Sequence, residues 1–326
     1  MTTGGWDEFE LIARLFRPLA AGTPGALELK DDAALLAVPP GQELVATSDA
    51  LVAGIHFLPD DPPDLIARKA LRVNLSDLAA KGAKSAFYLL SAVLPRGTSP
   101  EWLQRFANGL REDQAAFGIG LAGGDTTATD GPLTLSITAL GFVPTGGMIR
   151  RSGARPGDAI FVSGTIGDAA LGLLVSQGGL GALGPVSREH LRGRYRLPEP
   201  RVAFGGHLSS FAHAAIDVSD GLVADLDHVL AASGVGARLE LGRVPLSPPA
   251  QEALASGAAR LEDLVIGGDD YEILFTAPPE ARTAIQAAAR DLPIAEIGTV
   301  VAGQGLVIAA PDGTPITLTR TGFRHF

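Results

Sequence analysis

The sequence predicts a two-domain α/β (α+β) fold. The chain has 326 residues, which exceeds the roughly 150 residues of a typical single domain. Apolar segments of strand length alternate with segments of helical spacing in both halves of the chain. The basic, Gly- and Pro-rich segment 148–158 interrupts this periodicity. We therefore predict a domain of residues 1–147 and a domain of residues 148–326.

The first domain is predicted to combine a short first helix, two longer helices and four strands. Apolar residues have helical spacing over residues 7–17, where Asp7 and Glu10 have the spacing of a capping box. A helix is predicted over residues 62–83, and Ser99-Pro100 starts another with Pro at its first position. The predicted strands are 43–47, 85–94, 119–122 and 133–143.

The second domain is predicted to have a similar mixture of elements. The predicted strands are 158–163, 214–218, 237–241 and 271–276, followed by short strands at the end of the chain. The predicted helices are 168–177, 222–232 and 280–290. Each half therefore has the elements of an α/β or α+β domain.

Composition excludes several classes of protein. The chain has no cysteine, which excludes disulfides, thiolate metal sites and cysteine nucleophiles and favours a reducing compartment. The formal net charge of −10 argues against a nucleic-acid partner and against binding to an anionic membrane. The N-terminus does not resemble a secretory signal, and no apolar segment approaches the roughly 18 residues that span a bilayer. We therefore expect a cytoplasmic protein.

Acidic residues recur beside glycines and hydroxyl residues where apolar strands are predicted to end. These segments are Lys30-Asp31-Asp32, Thr47-Ser48-Asp49, Gly123-Gly124-Asp125, Asp217-Val218-Ser219-Asp220 and Gly267-Gly268-Asp269. Glycine lets the backbone approach a ligand closely, and a strand end holds a carboxylate stiffly. Carboxylate and hydroxyl oxygens suit Mg²⁺, which completes its coordination with phosphate oxygens and water. The sequence therefore predicts magnesium beside phosphate, and Asp77 joins these candidates because its helix is apolar nearly all round.

A simpler interpretation of each acidic segment is also open. Asp and Gly are common in turns for local hydrogen-bonding reasons, and Asp77 has Arg72 and Lys81 as candidate partners. The sequence contains no P-loop motif, no protein-kinase motif set and no G-x-S-x-G motif. Segment 163–172 lacks the G-x-G-x-x-G spacing of a dinucleotide site.

Seven segments, taken in order, carry a family resemblance. They are Asp31-Asp32-Ala33-Ala34-Leu35, residues 47–57, residues 74–83, Gly123-Gly124-Asp125-Thr126-Thr127, residues 151–158, residues 217–222 and Gly267-Gly268-Asp269-Asp270-Tyr271-Glu272. Together they resemble the thiamine-monophosphate kinase family, through essentially the whole chain. The wider superfamily includes aminoimidazole ribonucleotide synthetase, but the Val-Ala-Gly-x-His-Phe and Gly-Gly-x-Asp-Tyr-Glu stretches point to the thiamine member.

The resemblance implies an activity and an architecture. The implied reaction is transfer of the γ-phosphoryl group of ATP to thiamine monophosphate, which gives thiamine diphosphate and ADP with several Mg²⁺ ions as cofactors. The implied fold is the aminoimidazole ribonucleotide synthetase-like fold. Its first domain (1–147) binds ATP and metal and pairs its mixed sheet with a copy in a homodimer. Its second domain (148–326) closes over nucleotide and substrate.

The resemblance also implies roles for individual residues, with no catalytic residue beyond the metal ligands. The implied metal ligands are Asp32, Thr47, Ser48, Asp49, Asp77, Asp125, Asp217 and Asp220. The implied ATP contacts are Gly124, Asp125, Arg151 and Ser219. The implied contacts with the thiamine substrate are His56, Asp269 and Phe323.

Two residues depart from the family pattern. Lys30 stands where the family usually has Gly, and we expect it to shift the loop or to add a phosphate contact. Asp269 stands where Glu is more usual, which shortens a substrate-side acid by one methylene. Two alternative functions stay open. They are another ATP-dependent enzyme of the same superfamily and a protein that binds nucleotide and metal without catalysis.

Overall fold

The structure of the protein is a computed structural model that describes residues 8–318 and 322. The chain divides into two units. The first comprises the residues up to Leu78 together with Ala83–Gly146, and the second comprises Ala79–Gly82 and the residues from Gly147 onward. Each unit is built on its own β-sheet. Both units have the predicted mixture of helices and strands.

The sheet of the first unit has four strands. They are β1 (Gln42–Val52), β2 (Lys84–Pro95), β3 (Gly120–Thr129) and β4 (Thr134–Pro144), in the order β1-β4-β2-β3. Strands β2 and β3 are parallel, and the other two pairs are antiparallel. The helical segments are α1 (Glu8–Leu11), a π-helical turn (Ile12–Phe16), α2 (Arg17–Ala20), a 3₁₀ turn (Leu27–Leu29), α3 (Pro63–Ala80) and α4 (Pro100–Phe117).

Helix α4 begins and ends at residues that its sequence specifies. The Ser99 side chain accepts a hydrogen bond from the N–H of Trp102 at 3.2 Å, and Pro100 occupies the first turn. Gly118 ends the helix with a φ of 64°, a left-handed conformation that glycine adopts without steric cost. These boundaries confirm the helix start predicted at Ser99-Pro100.

A buried ion-pair cluster joins α3 to α4. Arg72 donates to both carboxylate oxygens of Asp113, at 2.6 Å from Nε and 3.0 Å from Nη2, and Arg68 Nε donates to Asp113 Oδ1 at 2.9 Å. Asp113 is fully buried, whereas Glu112, which also accepts from Arg68, has an exposed side chain. Two guanidinium groups therefore compensate the buried charge of Asp113.

The second unit has a seven-stranded sheet. Its strands are β5 (Ala159–Ser163), β6 (Ala214–Asp217), β7 (Gly236–Glu240), β8 (Ile273–Ala277), β9 (Ile294–Val301), β10 (Gly305–Ala309) and β11 (Pro315–Ile316), in the order β11-β10-β7-β9-β5-β8-β6. Its helices are α5 (Asp168–Ser176), α6 (Pro185–Arg196), α7 (Val202–Gly205), α8 (Leu222–Ser233), α9 (Pro248–Ala255), α10 (Leu261–Ile266) and α11 (Arg282–Ala289). None of the helices within the described ranges combines the length and apolar character needed to cross a bilayer.

Both faces of this sheet are buried at β5. Along β5, Ile160 and Val162 belong to one apolar cluster, and Ala159 and Phe161 belong to another. Because side chains alternate along a strand, the two clusters lie on opposite faces of the sheet. This explains why β5 reads as a continuous apolar run in the sequence instead of an alternating one.

The structure also corrects several predictions. Strands β1 and β3 continue beyond the predicted ends at residues 47 and 122, so Thr47-Ser48-Asp49 and Gly123-Gly124-Asp125 lie within strands. Their polar residues obscured continued pairing with neighbouring strands. The predicted first helix is interrupted by a π-helical turn, and Asp7 of its capping box lies outside the described residues. Helices α6, α7, α9 and α10 were not predicted.

We expect Asp113→Ala to lower the free energy of unfolding by about 3 kcal/mol or more, because it leaves two arginines without their buried carboxylate partner. Urea unfolding measures this change. The matched control is Glu112→Ala, which removes the exposed partner of Arg68 and should cost less than about 1 kcal/mol. Equal losses in the two variants would contradict the assignment of the buried cluster.

Candidate active site

The side of β1 that contacts α3 carries two predicted metal ligands. Thr47 and Asp49 lie on that side between the buried residues Val45 and Leu51. Thr47 Oγ1 donates a short hydrogen bond to Asp77 Oδ2 of α3, and the N–H of Asp49 donates to Asn74 Oδ1 at 3.2 Å. The structure therefore brings Thr47, Asp49 and Asp77 together.

Asp49 and Asp77 form a pair of neighbouring carboxylates. Burial, followed by the negative charge of Asp77, raises the pKa of Asp49 to about 6. A cation bound beside these groups would stabilise their charged forms, and the hydroxyl of Thr47 adds a further hard oxygen. Among residues 8–318 and 322, no three acidic or histidine side chains form a metal site by themselves. The donor set therefore fits Mg²⁺ that takes further ligands from phosphate and water.

The alternative partners of Asp77 contact other groups. Arg72 donates to Asp113, and Lys81 Nζ donates to the carbonyl oxygen of Ala215 at 2.8 Å. Asp77 accepts from Thr47. A side-chain hydrogen bond therefore ties Asp77 of α3 to β1.

The opposite face of the first sheet contributes to a cavity of about 680 Å³. Strand register places Asp125 of β3 beside Ser91 of β2, and Ser91 beside Ser136 of β4. The polar residues of the lining are Asp31, Asp32, Ser91, Asp125, Thr126, Ser136 and Thr138. Apolar residues such as Phe16, Leu36 and Leu89 complete it. This size and mixture of polar and apolar groups are typical of a small-molecule site.

The pleat of β1 separates the predicted ligands Thr47, Ser48 and Asp49. Ser48 Oγ lies 3.0 Å from the hydroxyl of Thr138, which lines the cavity, so Ser48 faces the cavity side of the sheet. Thr47 and Asp49 face α3 because side chains alternate along a strand. The first unit therefore presents two groups of predicted ligands, Thr47, Asp49 and Asp77 on one face, and Asp32, Ser48 and Asp125 on the other.

Backbone geometry shapes the cavity wall. Gly124 has a φ of 153°, and a Cβ at this position would lie 1.9 Å from the carbonyl oxygen of Leu90. Only glycine fits where the strands approach so closely. Before the acidic loop, Leu27, Glu28 and Leu29 have φ values of 50–55°, a strained conformation for residues with a Cβ. Lys30 forms an ion pair with Glu28, so the departure at Lys30 adds a local contact to this turn.

His56 is held by two neighbours in the loop after β1. Its Nδ1 accepts the N–H of Val52 at 3.0 Å, so the neutral ring carries its proton on Nε2. Its carbonyl oxygen accepts from Nζ of Lys69, which is 2% exposed, at 2.9 Å. The hydrogen bond from Val52 therefore fixes the orientation of the imidazole, and the hydrogen bond from Lys69 fixes the His56 backbone.

In the second unit, a buried carboxylate organises the loop after β6. Asp217 is the last residue of that strand. Oδ2 of Asp225 accepts the N–H groups of Ser219, Asp220 and Gly221 at 3.0, 3.0 and 3.1 Å. Burial, followed by the charge of Asp220, raises the pKa of Asp225 to about 7, although the three N–H groups oppose this shift. Asp225 therefore fixes the backbone of the loop that carries Ser219 and Asp220.

The predicted substrate-side acid lies on a neighbouring loop. Asp269 has a φ of 70°, its N–H donates to the carbonyl oxygen of Ser219 at 2.9 Å, and its carboxylate accepts from Tyr271 Oη at 3.3 Å. The structure thus brings Asp269 close to Ser219. Arg151 is exposed, and its carbonyl oxygen accepts from Ser233 Oγ at 3.3 Å. Phe323 lies outside the described residues.

Several site residues were missed in the sequence. Ser136 and Thr138 alternate with the buried residues Leu135, Ile137 and Ala139, so the period-two pattern already indicated a polar face of β4. Asp225 gave a weaker signal, since an acid in the first turn of a helix is common.

Both halves of the chain match one class of protein. Residues 30–143 match the family described as AIR synthase related protein, N-terminal domain, and residues 155–310 match the corresponding C-terminal domain. The first range falls in the first unit apart from Ala79–Gly82, and the second range falls in the second unit. The fold is therefore that of a two-domain AIR synthase related protein.

Comparison with individual proteins identifies the family within this class. The chain is 48% identical to thiamine-monophosphate kinase of Caulobacter vibrioides, over 98% of this chain and 90% of the relative. A solved thiamine-monophosphate kinase from Stenotrophomonas maltophilia has 43% identity and a TM-score of 0.84, with coverage of 95% of this chain and 98% of the other. A second solved structure, AaThiL complexed with AMPPCP and TMP, has 30% identity and a TM-score of 0.78 over 100% of both chains. This chain belongs to the thiamine-monophosphate kinase family, which confirms the resemblance seen in its sequence.

Gly124→Ala should lower the free energy of unfolding by about 1–3 kcal/mol, because it introduces both an unfavourable φ and a backbone clash. Urea unfolding again measures the change. Gly123→Ala is the matched control, since its Cβ would lie 3.3 Å from the terminal Cδ2 atom of the Leu89 side chain, which can rotate away. A Gly124→Ala protein as stable as the Gly123→Ala protein would show that the cavity wall tolerates a side chain there.

Proposed function

We propose that this protein transfers the γ-phosphoryl group of ATP to the phosphate of thiamine monophosphate, giving thiamine diphosphate and ADP. The observation that carries this proposal is the pairing of Asp49 with Asp77 beside Thr47, in a chain 48% identical to a thiamine-monophosphate kinase. The relative AaThiL, complexed with AMPPCP and TMP, supports a nucleotide and a thiamine phosphate as the two ligands.

The proposed residue roles follow the family resemblance. The metal ligands are Asp32, Thr47, Ser48, Asp49, Asp77, Asp125, Asp217 and Asp220. The ATP contacts are Gly124, Asp125, Arg151 and Ser219. The contacts with thiamine monophosphate are His56, Asp269 and Phe323.

The reaction needs positioning and charge neutralisation more than acid–base catalysis. The acceptor is already an anionic phosphate oxygen, so no strong base has to remove a proton before it attacks. When bound, Mg²⁺ neutralises the negative charge shared by the two phosphates. The carboxylates orient the site, and the guanidinium of Arg151 provides further positive charge in a chain with a formal net charge of −10.

We further propose that the protein acts as a cytoplasmic homodimer. Strand β1 is an edge of the first sheet, and its residue Leu44 is 46% exposed. An exposed strand edge with an apolar side chain is suited to pairing with a second copy of the chain. The absence of cysteine from the sequence agrees with a reducing compartment.

The direct test is incubation of the purified protein with ATP, Mg²⁺ and thiamine monophosphate, with products followed by mass spectrometry. We expect thiamine diphosphate and ADP in equal amounts, and no product when EDTA removes the metal. The substrate of aminoimidazole ribonucleotide synthetase serves as the comparison and should not react. Binding of ATP and Mg²⁺ without turnover of thiamine monophosphate would overturn the proposal in favour of a non-catalytic binding protein.

Asp49→Asn and Asp125→Asn should each lower kcat at least about 100-fold, because each removes a charged ligand that stabilises the transferring phosphoryl group. Asp49→Asn should not destabilise the fold, since it also removes the repulsion between Asp49 and Asp77. Steady-state kinetics and urea unfolding measure the two effects. Asp130→Asn is the control, because its side chain is 89% exposed at the turn between β3 and β4. Near-native kcat in both site variants would mean that these aspartates are only structural residues.

A further inference from the structure

In the segment 267–272, two buried acids alternate with two more accessible residues. Asp270 and Glu272 are 1% and 0% exposed, whereas Asp269 and Tyr271 are half-buried. Asp269 and Tyr271 also have φ values of 70° and 51°, conformations that residues with a Cβ rarely adopt. Such a backbone persists only when contacts from outside the segment hold it in place. The two buried acids make side-chain contacts of this kind, in addition to the backbone hydrogen bonds of Asp269 and Tyr271 with Ser219 and Val218.

Asp270 anchors the segment to the start of helix α5. Its Oδ2 accepts the N–H of Gly167 at 2.7 Å, and its Oδ1 accepts the N–H of Ala169 at 3.2 Å. Both N–H groups lie at the end of the helix where a negative charge is stabilised. The side chain of Asp270 is therefore fixed against the start of α5.

Glu272 anchors the other end of the segment to two arginines. Its Oε2 accepts from Arg201 Nε at 2.6 Å and from Ser163 Oγ at 2.7 Å. Its Oε1 accepts from Arg194 Nη2 at 2.9 Å and also from Arg201 Nη2, so Arg201 binds both oxygens of the carboxylate. Arg194 Nη2 additionally donates to the carbonyl oxygen of Asp270 at 3.3 Å. A bidentate guanidinium fixes the direction of the carboxylate as well as its position.

We propose that Asp270 and Glu272 are positioning residues that hold Asp269 in its strained conformation toward the thiamine substrate. This inference rests on the proposed function. Neither residue has to touch a ligand. Asp270 and Glu272, with the groups that they bind, form a frame on either side of Tyr271. The Tyr271 hydroxyl donates to the Asp269 carboxylate, so this frame sets the positions of both Asp269 and Tyr271.

The frame should affect the thiamine side of the site more than the nucleotide side. The segment bonds to the loop after β6 through the N–H groups of Asp269 and Tyr271, which donate to the carbonyl oxygens of Ser219 and Val218. However, Asp225 independently holds that loop with three hydrogen bonds. Loss of the frame should therefore change the direction of the Asp269 carboxylate, while Ser219 and Asp220 keep their positions.

The experiment compares two carboxylates that bind the same arginine. Glu272→Gln keeps the shape of the buried side chain but removes its charge. We expect it to raise KM for thiamine monophosphate on the order of tenfold, because a small misplacement of a contact weakens substrate binding. KM for ATP should change less than about twofold. Glu199→Gln is the matched control, since Glu199 accepts from Arg201 Nη1 at 2.9 Å with a side chain that is 61% exposed, and it should leave both KM values unchanged.

Two further variants keep the test decisive if Glu272→Gln does not fold. Arg201→Lys keeps the positive charge but loses the bidentate contact, and Asp270→Asn removes the second anchor. Both should raise KM for thiamine monophosphate selectively, in protein with a wild-type circular dichroism spectrum. Equal changes in the two KM values, or a loss of kcat alone, would overturn the positioning role and indicate only structural damage. Failure of the wild-type protein to turn over thiamine monophosphate would instead contradict the proposed function.

Discussion

Repulsion between two neighbouring carboxylates is the constraint on which the candidate site depends. Asp49 and Asp77 lie on facing elements of the first unit, and burial together with this repulsion raises the pKa of Asp49 to about 6. Strand β1 and helix α3 are rigid elements, so the carboxylates cannot easily move apart. A bound cation removes the repulsion. The arrangement therefore lowers the stability of the protein without a bound cation, which supports the proposed binding of Mg²⁺ with phosphate.

The second unit also contains buried acids, and hydrogen-bond donors surround them. Asp225, Asp270 and Glu272 accept hydrogen bonds from backbone N–H groups or arginines, and each lies close in sequence to an accessible acid. The buried member of each set holds a loop, and the accessible member, Asp220 or Asp269, is one of the proposed ligand contacts. This division of labour explains why so many acidic residues occur in short segments of one chain. It also explains how the loop with Asp269 keeps a φ of 70°.

Much of the fold follows from local signals, but the division of the site does not. Ser99 and Gly118 mark the ends of α4 because caps depend on adjacent residues. The acidic segments were recognisable as candidates because glycines and hydroxyl residues accompany them. Their sorting onto two faces of the first sheet required knowledge that β1 continues through Thr47 and Asp49 to Val52. The polar residues suggested a strand end, whereas pairing with β4 decided otherwise.

Long-range partners were beyond sequence reasoning. Glu272 and Arg201 are 71 residues apart, and no local pattern distinguishes this pair from the exposed pair of Arg201 with Glu199. Asp113 was equally inconspicuous among the charged residues of α4, although it is fully buried. Burial, which determines the strength and role of each ion pair, depends on the tertiary fold.

The most direct test of the metal-binding account is anomalous diffraction from a crystal of the protein with Mn²⁺ and a non-hydrolysable ATP analogue. Mn²⁺ shares the oxygen preference of Mg²⁺ and has a usable anomalous signal. We expect a peak within about 2.0–2.3 Å of a carboxylate oxygen of Asp49 or Asp77, next to a phosphate oxygen. Peaks confined to exposed acids such as Asp130, with none at Asp49 and Asp77, would contradict the account.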